Sequence, residues 1–290
     1  MKLLFKQEYC ASCGKKYDPA RGKCPNCSSS YFDKNICRSW KNCTALGVGK
    51  EISVFLIGLV GLNIFVAIVE LVLIAYERPI LVSQGLSGTE LSSALTSYIN
   101  SGEGMAIIFF PSYALLFISL CLILWNDLGR VFTRFANPYT YLGIPLGFLM
   151  VGITISYSYL VSMVPGYGNN QNQSNVDTVV KYSPYLSLLI FGFIGPFCEE
   201  VTYRLGLFNF FKRFNTVIAY LVTAIIFGLI HFDFSNALSV TEWLNLPIYM
   251  LMGAFLAFCY DKFGFGASYL AHATNNIFSV VSVMIASKAG

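Results

Sequence analysis

Four ionisable side chains suited to hydrolytic chemistry gather in the last third of the chain: Glu199, Glu200, His231 and His272. The histidines are the chain's only two, and all four groups fall in strongly apolar surroundings. An ionisable group there is costly and by default marks a functional site. Adjacent residues on a helix point about 100° apart, whereas residues four apart share a face. Glu199 and Glu200 therefore cannot face the same way. Glu200 stands four before Arg204, so the two can form an intrahelical ion pair that neutralises both charges in a low-dielectric setting. Glu199 is left as the free carboxylate, the candidate general base that takes a proton from water and returns it to a leaving amine. His272 and Asn276 are likewise four apart, which places an imidazole and a carboxamide on one face, able to donate to a developing oxyanion. His231 either orients the attacking water with Glu199 or joins Glu199 and His272 as a ligand of a catalytic metal. The sequence leaves both open.

The elements that must hold these groups are membrane helices. The 290 residues are 56% hydrophobic and 12% charged, against roughly 25% charged in a typical globular chain, which excludes an ordinary soluble fold. Seven apolar segments approach the length needed to cross the hydrocarbon as helix: 52–76, 104–125, 139–164, 183–208, 215–232, 243–260 and 265–287, the fifth and sixth being short. The expected fold is an all-α polytopic bundle of about seven spans over 51–290. Fifteen Lys and Arg fall in the first fifty residues, the 126–138 and 209–214 loops and Lys262, all on one side of such a bundle, against Arg78, Lys181 and Lys288 on the other. That bias predicts an integral membrane protein with a cytoplasmic N-terminus. At 1.5 Å per residue, His272 would lie about 12 Å and His231 about 25 Å from the cytoplasmic starts of their helices, so a shared site requires tilt or an interfacial turn near 209–214. The polar, turn-rich stretch 165–181 reads as a mobile loop rather than part of a site.

Residues 1–50 form a separate small domain that holds six of the nine cysteines. Cys10, Cys13, Cys24 and Cys27 make two CxxC knuckles that resemble a zinc ribbon. Four thiolates at this spacing can enclose one structural Zn2+, which so short a segment needs in place of a core. A cytosolic location disfavours disulfides as the other reading. The ribbon offers a site for a protein partner. Membrane lipid is the second expected partner, and nucleic acid is not one.

EExxxR at Glu199–Arg204, FxxxH at Phe227–His231 and HxxxN at His272–Asn276, in this order on successive spans, resemble the CPBP (Abi) family, which includes the type II CAAX prenyl endopeptidases. The resemblance implies an all-helical intramembrane endopeptidase that cleaves membrane-associated or lipid-modified proteins or peptides near the cytosolic side. It also implies a catalytic role for Glu199 with Glu200 and Arg204, and site roles for His231, His272 and Asn276. A glutamate-based and a metal-dependent mechanism both remain open under it. Leu205 stands where many members have Gly, and the zinc ribbon lies outside the family core. Two rivals compete with this reading. One is an ion-coupled transporter using the same carboxylates as a relay, with Pro196 breaking its helix. The other is a non-catalytic bacteriocin-immunity or scaffold protein acting through the ribbon.

Overall fold

The computed structural model describes residues 8–9, 16–17, 46–133, 135, 138–168 and 170–289. Two short strands, β1 (Glu8–Tyr9) and β2 (Lys16–Tyr17), pair antiparallel and bracket the first CxxC in sequence. Cys10, Cys13, Cys24 and Cys27 themselves lie outside the described residues.

The rest is helical, as the hydrocarbon requires of a chain whose backbone groups must be satisfied within each segment. Helix α1 (Val48–Ser83) is followed by α2 (Gly88–Ile99), α3 (Gly102–Ile123) and the short α4 (Leu128–Thr133). A 3-10 turn (Pro138–Leu142) leads into α5 (Gly143–Val161), and α6 (Gln171–Tyr182) lies across the far end of the bundle. The core then closes with α7 (Pro184–Lys212), α8 (Thr216–Leu229), α9 (Val240–Phe263) and α10 (Phe265–Ala289). Among the described residues, six helices are long and apolar enough to span, and α8 is a further apolar helix of 14 residues. Such a helix rises only about 21 Å, less than the hydrocarbon thickness, so α8 ends inside the bundle and hands the chain to the turn that carries His231.

The two ends of the bundle are tied by different chemistry. At the end where α1 begins, ion pairs link the helices: Lys50 with Asp127, Arg213 with Glu51 at 2.7 Å, and Lys212 with Asp261 at 2.5 Å. At the other end, α6 is joined to α9 and to the 231–233 turn by amide and carboxylate hydrogen bonds. Ile64, Ile68, Leu71 and Val72 on α1 are exposed, as lipid-facing side chains of a spanning helix are. Helices α5 and α10 meet closely in their first halves because Gly143 and Gly147 present no side chain. A Cβ at Gly147 would lie 2.6 Å from the Ala271 carbonyl oxygen and from Thr274 Cβ.

The stretch expected to be a mobile loop is instead largely α6. Asn170 caps its first turn by accepting from Gln173 N at 3.0 Å. Val176, Val179 and Val180, at helical spacing, pack with Ala106, Phe191 and Val280. The amide-rich turn hid a helix whose apolar stripe is three valines wide.

Candidate active site

Helix α7 is not α-helical throughout. It widens to π geometry over Ile190–Ile194, narrows over Gly195–Glu200 and widens again over Val201–Phe208. Pro196 has no N–H to donate, and its ring crowds the carbonyl four residues back. The wider turn before it relieves that contact, so the helix runs on through Pro196 instead of breaking, contrary to what the transporter reading needs. π turns concentrate at functional sites because they shift side-chain direction and leave carbonyls without intrahelical partners. Here Phe191 O accepts from Asn276 Nδ2 at 3.1 Å.

Adjacent carboxylates diverge as the helix geometry requires. Glu200 is fully buried, whereas the Glu199 side chain is 21% exposed and lines a cavity of about 700 Å³. Glu200 accepts from Arg204 Nε at 3.1 Å, from Ser268 Oγ, and, through its other oxygen, meets His272 Nδ1 at 3.0 Å. Its role is thus broader than charge balance, because it also fixes the imidazole of His272. Arg204, completely buried, stands 5.4 Å from the centre of the Phe227 ring, a cation–π distance. Its Nη1 and Nη2 have no hydrogen-bond partner among the described residues.

With Nδ1 turned to Glu200, His272 points Nε2 at Glu199 Oε2, 3.8 Å away. That is too long for a direct hydrogen bond. Glu199 Oε2 is itself buried and has no hydrogen-bond partner among the described residues. His231 follows the end of α8. Its Nδ1 is 2.8 Å from Phe227 O, and a carbonyl only accepts, so Nδ1 carries the proton and Nε2 is left with its lone pair. The ring stacks on Tyr249 with centroids 4.4 Å apart. Phe227 lies between the two imidazoles, 4.8 Å from His231 and 6.0 Å from His272.

Glu199, His231, His272 and Asn276 all line the one cavity, while Glu200 and Arg204 stand behind it. Despite the different depths read from the sequence, His231 and His272 line the same cavity, each close to the Phe227 ring. Asn276 has committed one N–H to Phe191 O and its oxygen accepts from Asn275 Nδ2 at 3.3 Å, so its second N–H remains for a substrate.

Two residues not singled out from sequence hold the histidine turn. Asn170, buried, donates from Nδ2 to His231 O at 3.3 Å and accepts from Tyr249 O–H at 3.4 Å. Glu242, also buried, accepts from Gln171 N at 3.2 Å with one oxygen and from Asp233 N at 3.1 Å with the other. Glu242 was detectable in principle as an acid near the start of an apolar helix. Asn170 was hidden in a run of amides.

In donor type the site would suit a divalent ion. Both imidazoles have Nδ1 engaged, the arrangement that orients Nε2 toward a metal, and Glu199 adds a carboxylate oxygen. In spacing, no three His, Cys, Asp or Glu side chains among the described residues are gathered as a metal site.

Residues 181–278, which include all six of these motif positions, match the model of a family described as type II CAAX prenyl endopeptidase Rce1-like. A protein of Mycoplasma capricolum subsp. capricolum, described as uncharacterized, is 27% identical over 143 residues, covering 46% of this chain and 40% of that protein. The chain thus aligns with less than half the length of that relative. No solved structure matches the chain.

Proposed function

We propose that this integral membrane protein is a CPBP-type endopeptidase that hydrolyses peptide bonds of membrane-associated or lipid-modified proteins or peptides. The observation that carries the reading is the convergence of Glu199, His231 and His272 on one cavity, with Glu199 Oε2 3.8 Å from His272 Nε2. The match to an endopeptidase family over the same residues supports it.

In this reading the reacting water sits on the cavity side of the Glu199 carboxylate, beside His272, and His231 Nε2 accepts its other hydrogen. As the water oxygen bonds to the scissile carbonyl carbon, its proton passes to Glu199. The developing oxyanion takes a hydrogen bond from the second N–H of Asn276. Donation from His272 Nε2 as well requires both ring nitrogens protonated, with Nδ1–H held by Glu200. Collapse breaks the C–N bond, and Glu199 returns the proton to the leaving amine. Glu200, Arg204 and Ser268 position His272 without touching substrate. In a metal-dependent form Glu199, His231 and His272 would hold the ion, both imidazoles through Nε2 because their Nδ1 atoms are engaged, and it would supply a Lewis acid and a more acidic water; their present spacing does not gather them as such a site. A zinc ribbon built by Cys10, Cys13, Cys24 and Cys27 to recruit a protein partner belongs to the same proposal and rests on spacing.

The test is to compare new protein termini in membranes of cells that carry wild-type protein or Glu199→Gln. A membrane protein whose cleavage product disappears with Glu199→Gln supports the reading. Identical termini in both would move the assignment to the scaffold alternative.

A further inference from the structure

The cavity is sealed toward one end of the bundle and lined entirely from the other. On α5 its lining starts at Met150 and runs to Ser158; on α10 it starts at His272 and runs to Val283; on α9 it runs from Asn245 only as far as Leu256; on α7 it stops at Glu199. These limits lie near one another: Glu199 is 3.8 Å from His272, Gly147, one turn before Met150, packs on Ala271, and Leu256 O accepts from Ser268 Oγ. Below them lie the close contact of Gly143 and Gly147 with α10 and a floor of fully buried side chains that includes Glu200, Arg204, Phe208 and Ser268. Above them the lining continues onto Tyr167 and the α6 segment. Its exposed members, Ile155, Asn172, Phe278 and Ser282, belong to that upper half.

The ion-paired basic side chains at the helix ends are on the sealed side. Lys50, Lys212, Arg213 and Lys262 all belong to the helix ends below the floor, tied there by Asp127, Asp261 and Glu51. In the sequence, fifteen Lys and Arg fall in the first fifty residues, the 126–138 and 209–214 segments and Lys262, which precede or join helices at that end, against Arg78, Lys181 and Lys288 in the segments of the α6 end. Only Lys and Arg in short flanking segments weigh on orientation, so their pairing with acids leaves the bias intact. The basic end is the cytoplasmic one.

We propose that the cavity opens on the non-cytoplasmic face, and that its substrate is a peptide segment on that side of the membrane, held at the surface by its own lipid or transmembrane anchor. The inference rests on the peptidase reading for its substrate and departs from the cytosolic-side cleavage implied by the family resemblance. The wall chemistry fits such a substrate. Ile155 and Phe278, 56% and 41% exposed, give an apolar edge for the anchor. The amides of Asn172, Gln173, Asn245 and Asn275 offer the donors and acceptors that an extended peptide backbone needs. A cytosolic prenylated tail would meet the sealed floor instead. The segment before α1 joins the bundle at the opposite face, so a ribbon there would engage cytoplasmic partners rather than the substrate at the mouth.

The test uses the full chain with Asn172→Cys or Ser282→Cys at the mouth, and Phe214→Cys, which is exposed at the basic end. Intact cells are treated with a membrane-impermeant polyethylene-glycol maleimide, before and after permeabilisation, and the gel shift is compared with that of wild-type protein. The expected result is an added shift for Asn172→Cys and Ser282→Cys on intact cells, and for Phe214→Cys only after permeabilisation. The opposite pattern, labelling of both sets on intact cells, or no labelling at the mouth after permeabilisation overturns the proposal. Labelling requires no catalysis. Its failure therefore leaves the peptidase reading standing, and identical termini in the Glu199→Gln comparison leave the topology standing.

Discussion

Removing either member of the Glu200–Arg204 pair should destabilise the protein more than removing both. The two side chains are completely buried, and Arg204 Nε meets Glu200 Oε2 at 3.1 Å. Breaking a buried pair by deleting one partner leaves an uncompensated charge and costs about 3–5 kcal/mol. In Arg204→Met, Glu200 retains His272 and Ser268 as partners, which puts the cost near about 3 kcal/mol, a factor of roughly 100 in the folding constant. In Glu200→Gln the guanidinium keeps only a neutral amide and the Phe227 ring, so the cost lies nearer about 5 kcal/mol. The double substitution Glu200→Gln/Arg204→Met removes both charges and should cost less than either single change. Equilibrium unfolding in mixed lipid–detergent micelles, followed by circular dichroism, measures all three without reference to catalysis. Single substitutions costing below about 1 kcal/mol, the range of exposed pairs, or a double variant costing the sum of the singles, would refute the reasoning.

Glu199→Gln should leave the unfolding midpoint near that of wild type, because Oε2 forms no hydrogen bond among the described residues, while removing product formation. A calorimetric scan beside the terminus comparison checks both halves. Glu242→Gln keeps one acceptor oxygen for two backbone N–H groups, those of Gln171 and Asp233; the loss of about 1–3 kcal/mol should show as faster amide exchange across 168–174 and 231–235, and unchanged exchange there would count against the clip. Gly147→Ala sets a methyl against the Ala271 carbonyl and should cost about 1–3 kcal/mol by overpacking, read as a lowered melting temperature; an unchanged one would show that α5 and α10 can separate freely. Asn215→Ala removes the side-chain acceptor of Val217 N and Ile218 N at the start of α8 and should cost about 1 kcal/mol in the same melt.

The spanning elements were legible because hydrocarbon imposes one rule, a long apolar run, and every apolar segment in the sequence is a helix in the structure. The length of α8 was not, since apolarity continues past Leu229 to Ile230 and Phe232 while the helix does not. Intrahelical spacing gave the Glu200–Arg204 pair, but not the bond from Glu200 to His272, which is set by how α7 packs on α10. A proline can break, kink or widen a helix, and Pro196 does the last because the π turn before it accommodates the ring. Amphipathic α6 was missed because three valines carry its apolar stripe among amides and charges. Glu242 and the Nδ2 of Asn170 bond to backbone groups outside their own helices, at Gln171, Asp233 and His231, which no helical spacing records.

The most direct test is hydrolysis by the purified full-length protein in lipid nanodiscs, supplied with membrane proteins from cells that lack it, with new termini read by mass spectrometry. The account predicts discrete cleavages with wild-type protein that vanish in each of Glu199→Gln, His231→Ala and His272→Ala while all three variants remain folded. Cleavage persisting at the wild-type rate in Glu199→Gln would contradict it.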